Sequence, residues 1–337
     1  MIAHGTPPVA LHCAAGDDAM SDGMRGQFVW HELTTTDARA AAGFYSKVAK
    51  LKTQPAAFEK SYTMFVGGGR PMGGLMVLAG DATATGTPPS WLTYIGTGDV
   101  DETARKAESL GGKIIKSPAP VPDGGRYAIL QDPQGAVFAI YSASAAQSGN
   151  ALPTDVPLGH SSWHELATTD HAAAFSFYQQ LFGWQTTSSM DMGPQGVYRM
   201  FGPAGAKDPF GGMYSKASGS PGGPNWLPYI KVADARPATK TAKSSGAQIL
   251  NGPMQVPGGG WISMGVDPQG AAFAIHSAAQ PAPTKRKAAA KKPAAVKAAA
   301  RGRKRAAGKK ATGGKKLVAT KKRAAPRRAK RKAGSKK

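Results

Sequence analysis

Apolar residues recur at helical spacing in two short segments of the chain. After Asp170, a good N-cap, the apolar positions fall at i, i+3, i+4, i+7 and i+8 of one helix face, and they hold Ala174, Phe177, Tyr178, Leu181 and Phe182. After Asp37 the equivalent positions hold Ala41, Phe44, Tyr45, Val48 and Ala49. The pattern predicts two amphipathic helices whose aromatic side chains pack in a core.

Short apolar runs separated by glycine surround these helices and predict strands. They cover residues 28–34, 63–66, 74–78 and 91–96 in the first half, and 162–168, 197–201 and 211–214 in the second. A second helix follows in each half, at about 101–110 and 236–245, ended by Gly111 and Gly246. Two more strands flank an Asp-Pro-Gln-Gly turn of type I. The predicted order is βαβββ twice in each half.

The two halves are copies of one another. The segment VWHELTTTDARAAAGFY at 29–45 matches SWHELATTDHAAAFSFY at 162–178, and the segments that begin at Trp91 and Asp132 recur 135 residues later. Three matches in order indicate a duplicated unit of about 120 residues, so we expect each copy to be a domain with its own core. The predicted organisation is a disordered leader at 1–24 or an over-extended start site, domains at 25–146 and 158–279, a linker at 147–157, and a disordered tail at 280–337.

The order strand, Asp, helix, Phe-Tyr, with Asp-Pro-Gln-Gly before a last apolar strand, resembles the vicinal oxygen chelate superfamily. That group contains glyoxalase I, bleomycin- and fosfomycin-resistance proteins and extradiol dioxygenases. The resemblance covers roughly residues 26–145 and 159–279. It implies an α+β fold of tandem glyoxalase-like domains. In each, two βαβββ modules pair into an open curved sheet whose concave face holds the ligand. It does not specify one reaction.

Divalent metal ions in this superfamily are held by His, Gln or Glu side chains that converge on the cleft. The resemblance places those ligands at positions that here hold side chains unable to bind a metal, which are Trp30, Leu92 and Ala139 in the first copy and Trp163, Leu227 and Ala274 in the second. The adjacent strands, 72–78 and 210–214, contain no His or acidic residue. We therefore interpret both domains as metal-free, with no cofactor.

The pair His31-Glu32 and its copy His164-Glu165 leave an alternative open. Side chains alternate along a strand, so Glu32 shares the cleft face with Trp30 while His31 points to the helix-packed side, unless a β-bulge reverses the order. His31 and His164 are then hydrogen-bonded core residues. In the alternative, either is a ligand of a divalent metal ion or a base.

The remaining cleft residues predict the ligand class. Trp30, Leu92 and Tyr94, with their copies Trp163, Leu227 and Tyr229, form aromatic and apolar walls around Glu32 and Glu165. Such walls suit a small, partly apolar or cationic molecule. Each glutamate either acts as a general base of raised pKa or satisfies neighbouring backbone or tyrosine groups. We find no nucleophile motif and no phosphate-binding loop.

Charge separates the tail from the rest of the chain. The protein has 337 residues and a net charge of +23, from 43 basic and 20 acidic residues. From Thr284 onward 24 of 54 residues are basic and none is acidic, and subtracting 24 from 43 leaves 19 basic against 20 acidic residues before it. The tail resembles the Lys/Ala/Pro-rich tails of linker histones and of some bacterial nucleoid-associated proteins.

This composition predicts non-specific neutralisation of nucleic-acid phosphates, because flexible Lys and Arg cannot place donors against base edges. The densest clusters are Arg303, Lys304, Arg305, Arg327, Arg328, Lys330, Arg331 and Lys332. The alternative is a solubilising extension; membrane adsorption is disfavoured because no apolar anchor accompanies the charge.

Two function classes follow. The first is a protein that binds or sequesters a small molecule, held near nucleic acid by its tail. The second is a glyoxalase- or dioxygenase-like lyase or oxidoreductase, either metal-dependent through His31 and His164 or acid-base through Glu32 and Glu165. The single cysteine, Cys13, fits a reducing cytoplasm, and the tail suggests the nucleoid. Because two domains are fused, we expect a monomer.

Overall fold

The computed structural model describes residues 24–56, 62–78, 87–122, 124–144 and 156–279. The first copy forms the elements β1 (Phe28–Thr35), α1 (Ala38–Ala49), β2 (Lys52–Pro55), β3 (Thr63–Gly67), β4 (Arg70–Val77), β5 (Ser90–Gly96), α2 (Val100–Ser109), β6 (Lys113–Pro120), β7 (Arg126–Gln131) and β8 (Val137–Ser142). The predicted βαβββ order is present twice, and the α+β class is confirmed.

The second copy repeats the same order. Its elements are β9 (Ser161–Thr168), α3 (His171–Phe182), β10 (Gln185–Asp191), β11 (Val197–Gly202), β12 (Gly211–Ser215), β13 (Asn225–Lys231), α4 (Ala235–Ser244), β14 (Gln248–Gln255), β15 (Trp261–Val266) and β16 (Ala272–Ser277). A 3-10 turn at Gly193–Gln195 separates β10 from β11. The edge strands β2, β6, β10 and β14 have no counterpart among the predicted runs, because none of their residues is fully buried.

Each copy builds one eight-stranded sheet from its two modules. The first sheet has the order β2-β3-β4-β1-β5-β8-β7-β6, and the second has β10-β11-β12-β9-β13-β16-β15-β14. The modules join where β1 runs antiparallel to β5, with Trp30 opposite Tyr94 and Glu32 opposite Leu92. Each module also contains one parallel pair, as between β1 and β4. The centre of each sheet therefore carries the predicted cleft residues.

Local signals start and end the helices as predicted. Asp37 accepts a hydrogen bond from the Ala40 N–H, and Asp170 accepts from the Ala172 and Ala173 N–H groups. Gly111, just after α2, has φ +88°, a conformation that disfavours any residue with a Cβ. These features are local, which explains why the helix positions are readable in the sequence.

The expectation of a separate core for each copy is wrong. The aromatic face of α3 packs with residues of the first copy, including Ala104, Leu130 and Phe138. The matching face of α1 packs with Ala238 and Phe273 of the second copy. Helical periodicity indicates which face is buried but not which copy covers it. Burial of each such aromatic ring stabilises the fold by about 1.5–3 kcal/mol, so the two copies stabilise one another.

The repeated Trp, Tyr and Asp residues form hydrogen-bonded links between the copies. Tyr45 donates to Asp267 Oδ2 over 3.0 Å and accepts from Trp91 Nε1 over 3.0 Å. The reciprocal link joins Tyr178 to Asp132 over 3.0 Å and Trp226 to Tyr178 over 2.9 Å. The other oxygen of each aspartate accepts from N–H groups of its own turn. The motifs that reveal the repeat are thus structural.

Candidate functional site

The residues predicted to line the first cleft form a buried cluster on the sheet face opposite the helices. It combines Trp30 and Glu32 of β1, Leu92 and Tyr94 of β5, Tyr62 just before β3, Tyr127 and Ile129 of β7, and Ala139 of β8. A register shift in β1 lies between Phe28 and Trp30, so strict alternation holds from Trp30 onward. The structure therefore brings Trp30, Glu32, Leu92 and Tyr94 together, with His31 on the other face.

Glu32 is fully buried and bonded to a tyrosine that the sequence analysis did not identify. The Tyr62 hydroxyl donates to Glu32 Oε2 over 3.0 Å and accepts from Trp30 Nε1 over 3.4 Å. Gly74 lies opposite Glu32 on β4, and a Cβ there would collide with the Tyr62 hydroxyl. The glycine is required because the tyrosine crosses the strand directly above it.

Burial dominates the protonation of this cleft. It raises the pKa of Glu32 to about 7, although the Tyr62 hydrogen bond and the charge of Lys116 act in the opposite direction. Burial and then the negative charge of Glu32 raise the pKa of Tyr94 well above its usual value. Lys116 places its ammonium 4.7 Å from the centroid of the Tyr127 ring. One acid, one cation and four phenols, those of Tyr62, Tyr94, Tyr127 and Tyr141, therefore share the first cleft.

Two polar atoms of the first cleft lack a partner among the described residues. They are Glu32 Oε1 and the Tyr94 hydroxyl, and both are buried. The two residues are diagonal neighbours on adjacent strands, because Tyr94 lies opposite Trp30 and Leu92 lies opposite Glu32. Because buried polar groups in folded proteins are normally hydrogen-bonded, this pair is unusual.

The second cleft has the same plan with a closed hydrogen-bond network. Tyr198 donates to Glu165 Oε2 over 2.9 Å, and Tyr229 donates to Glu165 Oε1 over 3.0 Å. Trp163 Nε1 donates to the Tyr198 hydroxyl over 2.9 Å. Gly212, opposite Glu165, again makes room for the tyrosine ring. Burial raises the pKa of Glu165, and the two tyrosine bonds offset part of the effect.

The walls of the second cleft are more exposed and contain several methionines. Strand pairing places Met190 beside Tyr198, Met200 beside Gly212, and Met264 beside Ala274. The ring of Tyr214 stacks on that of Tyr198 with centroids 6.2 Å apart. Met254 on β14 is 42% exposed. The methionine side chains make this face flexible and polarisable.

His31 and His164 face one another between the two copies. Their Nε2 atoms are 3.0 Å apart, and both rings are buried. His164 Nδ1 lies 3.3 Å from the Phe210 carbonyl oxygen and must donate to it, so His164 Nε2 accepts from His31. Burial lowers the pKa of His31 to about 3 and that of His164 well below its usual value. This geometry is that of neutral, hydrogen-bonded core histidines.

The donor sets of the clefts do not fit a divalent metal ion. Each cleft floor presents one carboxylate among the described residues, and the positions at which the family resemblance implies metal ligands hold tryptophan, leucine and alanine. Across the described ranges no group of three His, Cys, Asp or Glu side chains is close enough to hold a metal. His276 is bonded through Nδ1 to Ser162 Oγ over 2.8 Å.

Several site residues were not predicted, namely Tyr62, Tyr198, Lys116, Gly74 and Gly212. One signal was available for the tyrosines: Tyr62 and Tyr198 occupy corresponding places in the two copies, 136 residues apart. The tail residues, Arg303 to Lys332, lie outside the described residues. No helix in the described part of the chain is long and apolar enough to cross a membrane.

Two eight-stranded sheets, each made of paired βαβββ modules around a central cleft, define a tandem glyoxalase-like protein. The family model of the Glyoxalase/Bleomycin resistance protein/Dioxygenase superfamily matches residues 27–140 and 158–275. The chain belongs to this superfamily, as the motifs predict.

Relatives match this chain over most of their own length. CFP32 of Mycobacterium tuberculosis, a glyoxylase-named protein, is 31% identical over 266 residues, which cover 76% of this chain and 96% of the relative. The anthracycline biosynthesis protein DnrV of Streptomyces peucetius is 28% identical over 264 residues, covering 74% and 92%.

Solved structures show the same fold at low identity. The Mn(II)-bound glyoxalase of Novosphingobium aromaticivorans has a TM-score of 0.53 and 18% identity, with coverage of 76% of this chain and 83% of that one. The 2,3-dioxygenase LapB of Pseudomonas sp. KL28 has a TM-score of 0.52 and 11% identity, with coverage of 77% and 96%. At these identities the likeness concerns the fold alone.

Proposed function

We propose that the protein binds small, partly apolar molecules in its two clefts without a metal ion, and that its basic tail contacts nucleic acid non-specifically. The observation that carries the first part is the repeated Trp–Tyr–Glu arrangement on both cleft floors, Trp30–Tyr62–Glu32 and Trp163–Tyr198–Glu165. Aromatic walls around one carboxyl form a recognition site for an organic ligand.

The second cleft suits a flat aromatic cation. Its methionine and tyrosine side chains offer polarisable surfaces, and the Glu165 carboxyl lies at the floor. A relative named for anthracycline biosynthesis supports a multi-ring aromatic ligand in this family. Sequestration or presentation of such a molecule needs no nucleophile in the cleft.

The tail supports a second, independent contact. Its 24 basic residues can neutralise phosphates, and the affinity then falls steeply with salt. The globular part, with 19 basic and 20 acidic residues, contributes no comparable attraction. The tail therefore keeps the clefts close to nucleic acid without sequence preference.

An acid-base enzyme is the second candidate function. It is favoured by Glu32, whose raised pKa of about 7 allows it to take up and return a proton near neutral pH. The glyoxylase-named relative supports an enzymatic activity in this family. The metal-dependent version through His31 and His164 is less favoured, because the two rings already bond to each other.

Dye binding tests the cleft proposal. Proflavine, a flat aromatic cation, is titrated by fluorescence into nuclease-treated full-length protein with and without EDTA. We expect binding that EDTA does not change and that Glu165→Gln weakens about 10-fold, while Glu32→Gln has a smaller effect. Loss of binding in EDTA, or equal binding by the wild type and both variants, would contradict the proposal.

A gel shift tests the tail. Full-length protein and a chain that ends at Ala279, where the described fold ends, are compared on duplex DNA at several salt concentrations. We expect only the full-length protein to shift DNA, with an affinity that decreases strongly as salt increases. Equal shifts by the two proteins would refute a role for the tail.

A further inference from the structure

The first cleft holds two polar atoms whose hydrogen-bonding capacity is unused by the described residues. Glu32 Oε1 and the Tyr94 hydroxyl are both buried, and neither has a partner among the described residues. They lie on the same sheet face, since β1 pairs with β5 so that Trp30 is opposite Tyr94 and Glu32 opposite Leu92. A group placed between them would satisfy both.

The second copy provides an internal comparison. There the equivalent atoms bond directly, because Tyr229 donates to Glu165 Oε1 over 3.0 Å. The fold therefore does not by itself prevent Tyr94 from bonding to Glu32, yet the first copy does not make this bond. We call these two unbonded groups of the first copy the open pair.

The open pair, Glu32 Oε1 and the Tyr94 hydroxyl, favours a group that both donates and accepts a hydrogen bond. When Glu32 is ionised, its oxygen only accepts hydrogen bonds, whereas the Tyr94 hydroxyl has a proton to donate. A single ligand oxygen that carries a hydrogen can donate to Glu32 and accept from Tyr94. An ammonium group cannot accept, and a carboxylate would be repelled by Glu32.

The surroundings favour a neutral ligand in this cleft. Lys116 carries positive charge close to Glu32 and lies over the Tyr127 ring, which disfavours a ligand cation. The corresponding residue of the second cleft is the neutral Asn251, in the same register of β14. Trp30, Leu92 and Ala139 supply apolar walls.

We propose that the first cleft binds the hydroxyl group of an uncharged, apolar alcohol or phenol between Glu32 Oε1 and the Tyr94 hydroxyl. This inference rests on the proposed small-molecule binding and specifies the ligand class of the first cleft. The two clefts then take different ligands, a neutral hydroxyl compound in the first and a flat aromatic cation in the second.

Calorimetry with a matched pair of probes tests the inference. Full-length protein is titrated at pH 8, where Glu32 is mainly ionised, with 2-naphthol and with its methyl ether, 2-methoxynaphthalene, which cannot donate. We expect 2-naphthol to bind about 10-fold more tightly. Tyr94→Phe and Glu32→Gln should each remove most of that preference, while Tyr229→Phe, the matched change in the second copy, should leave it unchanged.

The outcomes separate this inference from the proposed function. If both probes bind equally to the wild type, and Trp30→Ala weakens both, the cleft binds small molecules but the hydroxyl inference is overturned. A preference that survives Tyr94→Phe overturns it as well. If neither probe nor proflavine binds, both proposals fail. Circular dichroism of each variant shows that it is folded, and Tyr94→Phe removes only an atom that has no described protein partner.

Discussion

The two clefts share one plan but differ in how completely their polar atoms are satisfied. In the second cleft both oxygens of Glu165 accept from tyrosines, whereas in the first cleft one oxygen of Glu32 and the Tyr94 hydroxyl remain open. The first cleft is also more buried and contains Lys116, while the second has more exposed walls, as at Met254. Duplication therefore preserved the architecture while allowing the two sites to acquire different chemistry.

The glycine beneath the tyrosine should give the largest difference in stability between the clefts. In Gly74→Ala the new Cβ displaces Tyr62, which is only 4% exposed, and breaks its bond to Glu32. We expect a loss of about 4 kcal/mol in the free energy of unfolding, measured by urea denaturation.

Gly212→Ala is the matched change in the second cleft. It should cost less, because Tyr198 is closer to the surface and can move. Adding Tyr62→Phe to Gly74→Ala should restore part of the lost stability, since the closest collision is with the hydroxyl. Equal losses for the two alanine variants would mean that the clefts are equally rigid.

The titration of Glu32 should give the next largest effect. Its folded pKa of about 7 exceeds its unfolded value of 4.5, so its contribution to stability decreases as pH rises through that window. In Glu32→Gln this decrease is absent. The stability of the variant relative to wild type should therefore rise by about 3 kcal/mol between pH 4 and pH 8.

Urea denaturation across that pH range measures the difference. The buried histidines titrate in both proteins, so subtraction removes their contribution. Glu165→Gln should show the same sign, because burial also raises the pKa of Glu165. If the difference in the free energy of unfolding between Glu32→Gln and the wild type does not change with pH, then the pKa of Glu32 is not raised in the folded protein.

The two tyrosine hydroxyls next to the glutamates should respond differently to removal. Tyr229→Phe leaves Glu165 Oε1 without its donor and should cost about 2 kcal/mol. Tyr94→Phe removes a hydroxyl that has no described protein partner, and should leave thermal stability unchanged or slightly higher. If the two variants change the melting temperature equally, then Tyr94 is as strongly bonded as Tyr229, and the difference between the two clefts is refuted.

The charge difference between the clefts should have the smallest effect. Lys116→Asn makes the first cleft resemble the second, and should strengthen proflavine binding there by about 3-fold because it removes a half-buried positive charge. Asn251→Lys should weaken dye binding in the second cleft to a similar degree. Both effects should shrink at high salt, as measured by fluorescence titration. A change of the opposite sign would show that Lys116 does not act on the ligand electrostatically.

Much of the cleft floor follows from the sequence, because it depends on strand alternation. Trp30 and Glu32 share a face in the predicted strand, and the structure places them together with Leu92 and Tyr94. Tyr62 and Tyr198 reach the glutamates from other strands, at separations of 30 and 33 residues. No local pattern indicates such contacts, although the recurrence of both tyrosines in the two copies was a usable clue.

The sequence by itself determined the duplication, the helix caps and glycine ends, the buried face of each helix and the charge of the tail, because each depends on neighbouring residues or on composition. Only the tertiary structure decided which residues each buried face packs against. The helices of one copy pack on the other, His31 meets His164, and Tyr229 closes on its glutamate while Tyr94 does not. These outcomes depend on side-chain distances across the sheets and between the copies, which periodicity along one chain does not specify.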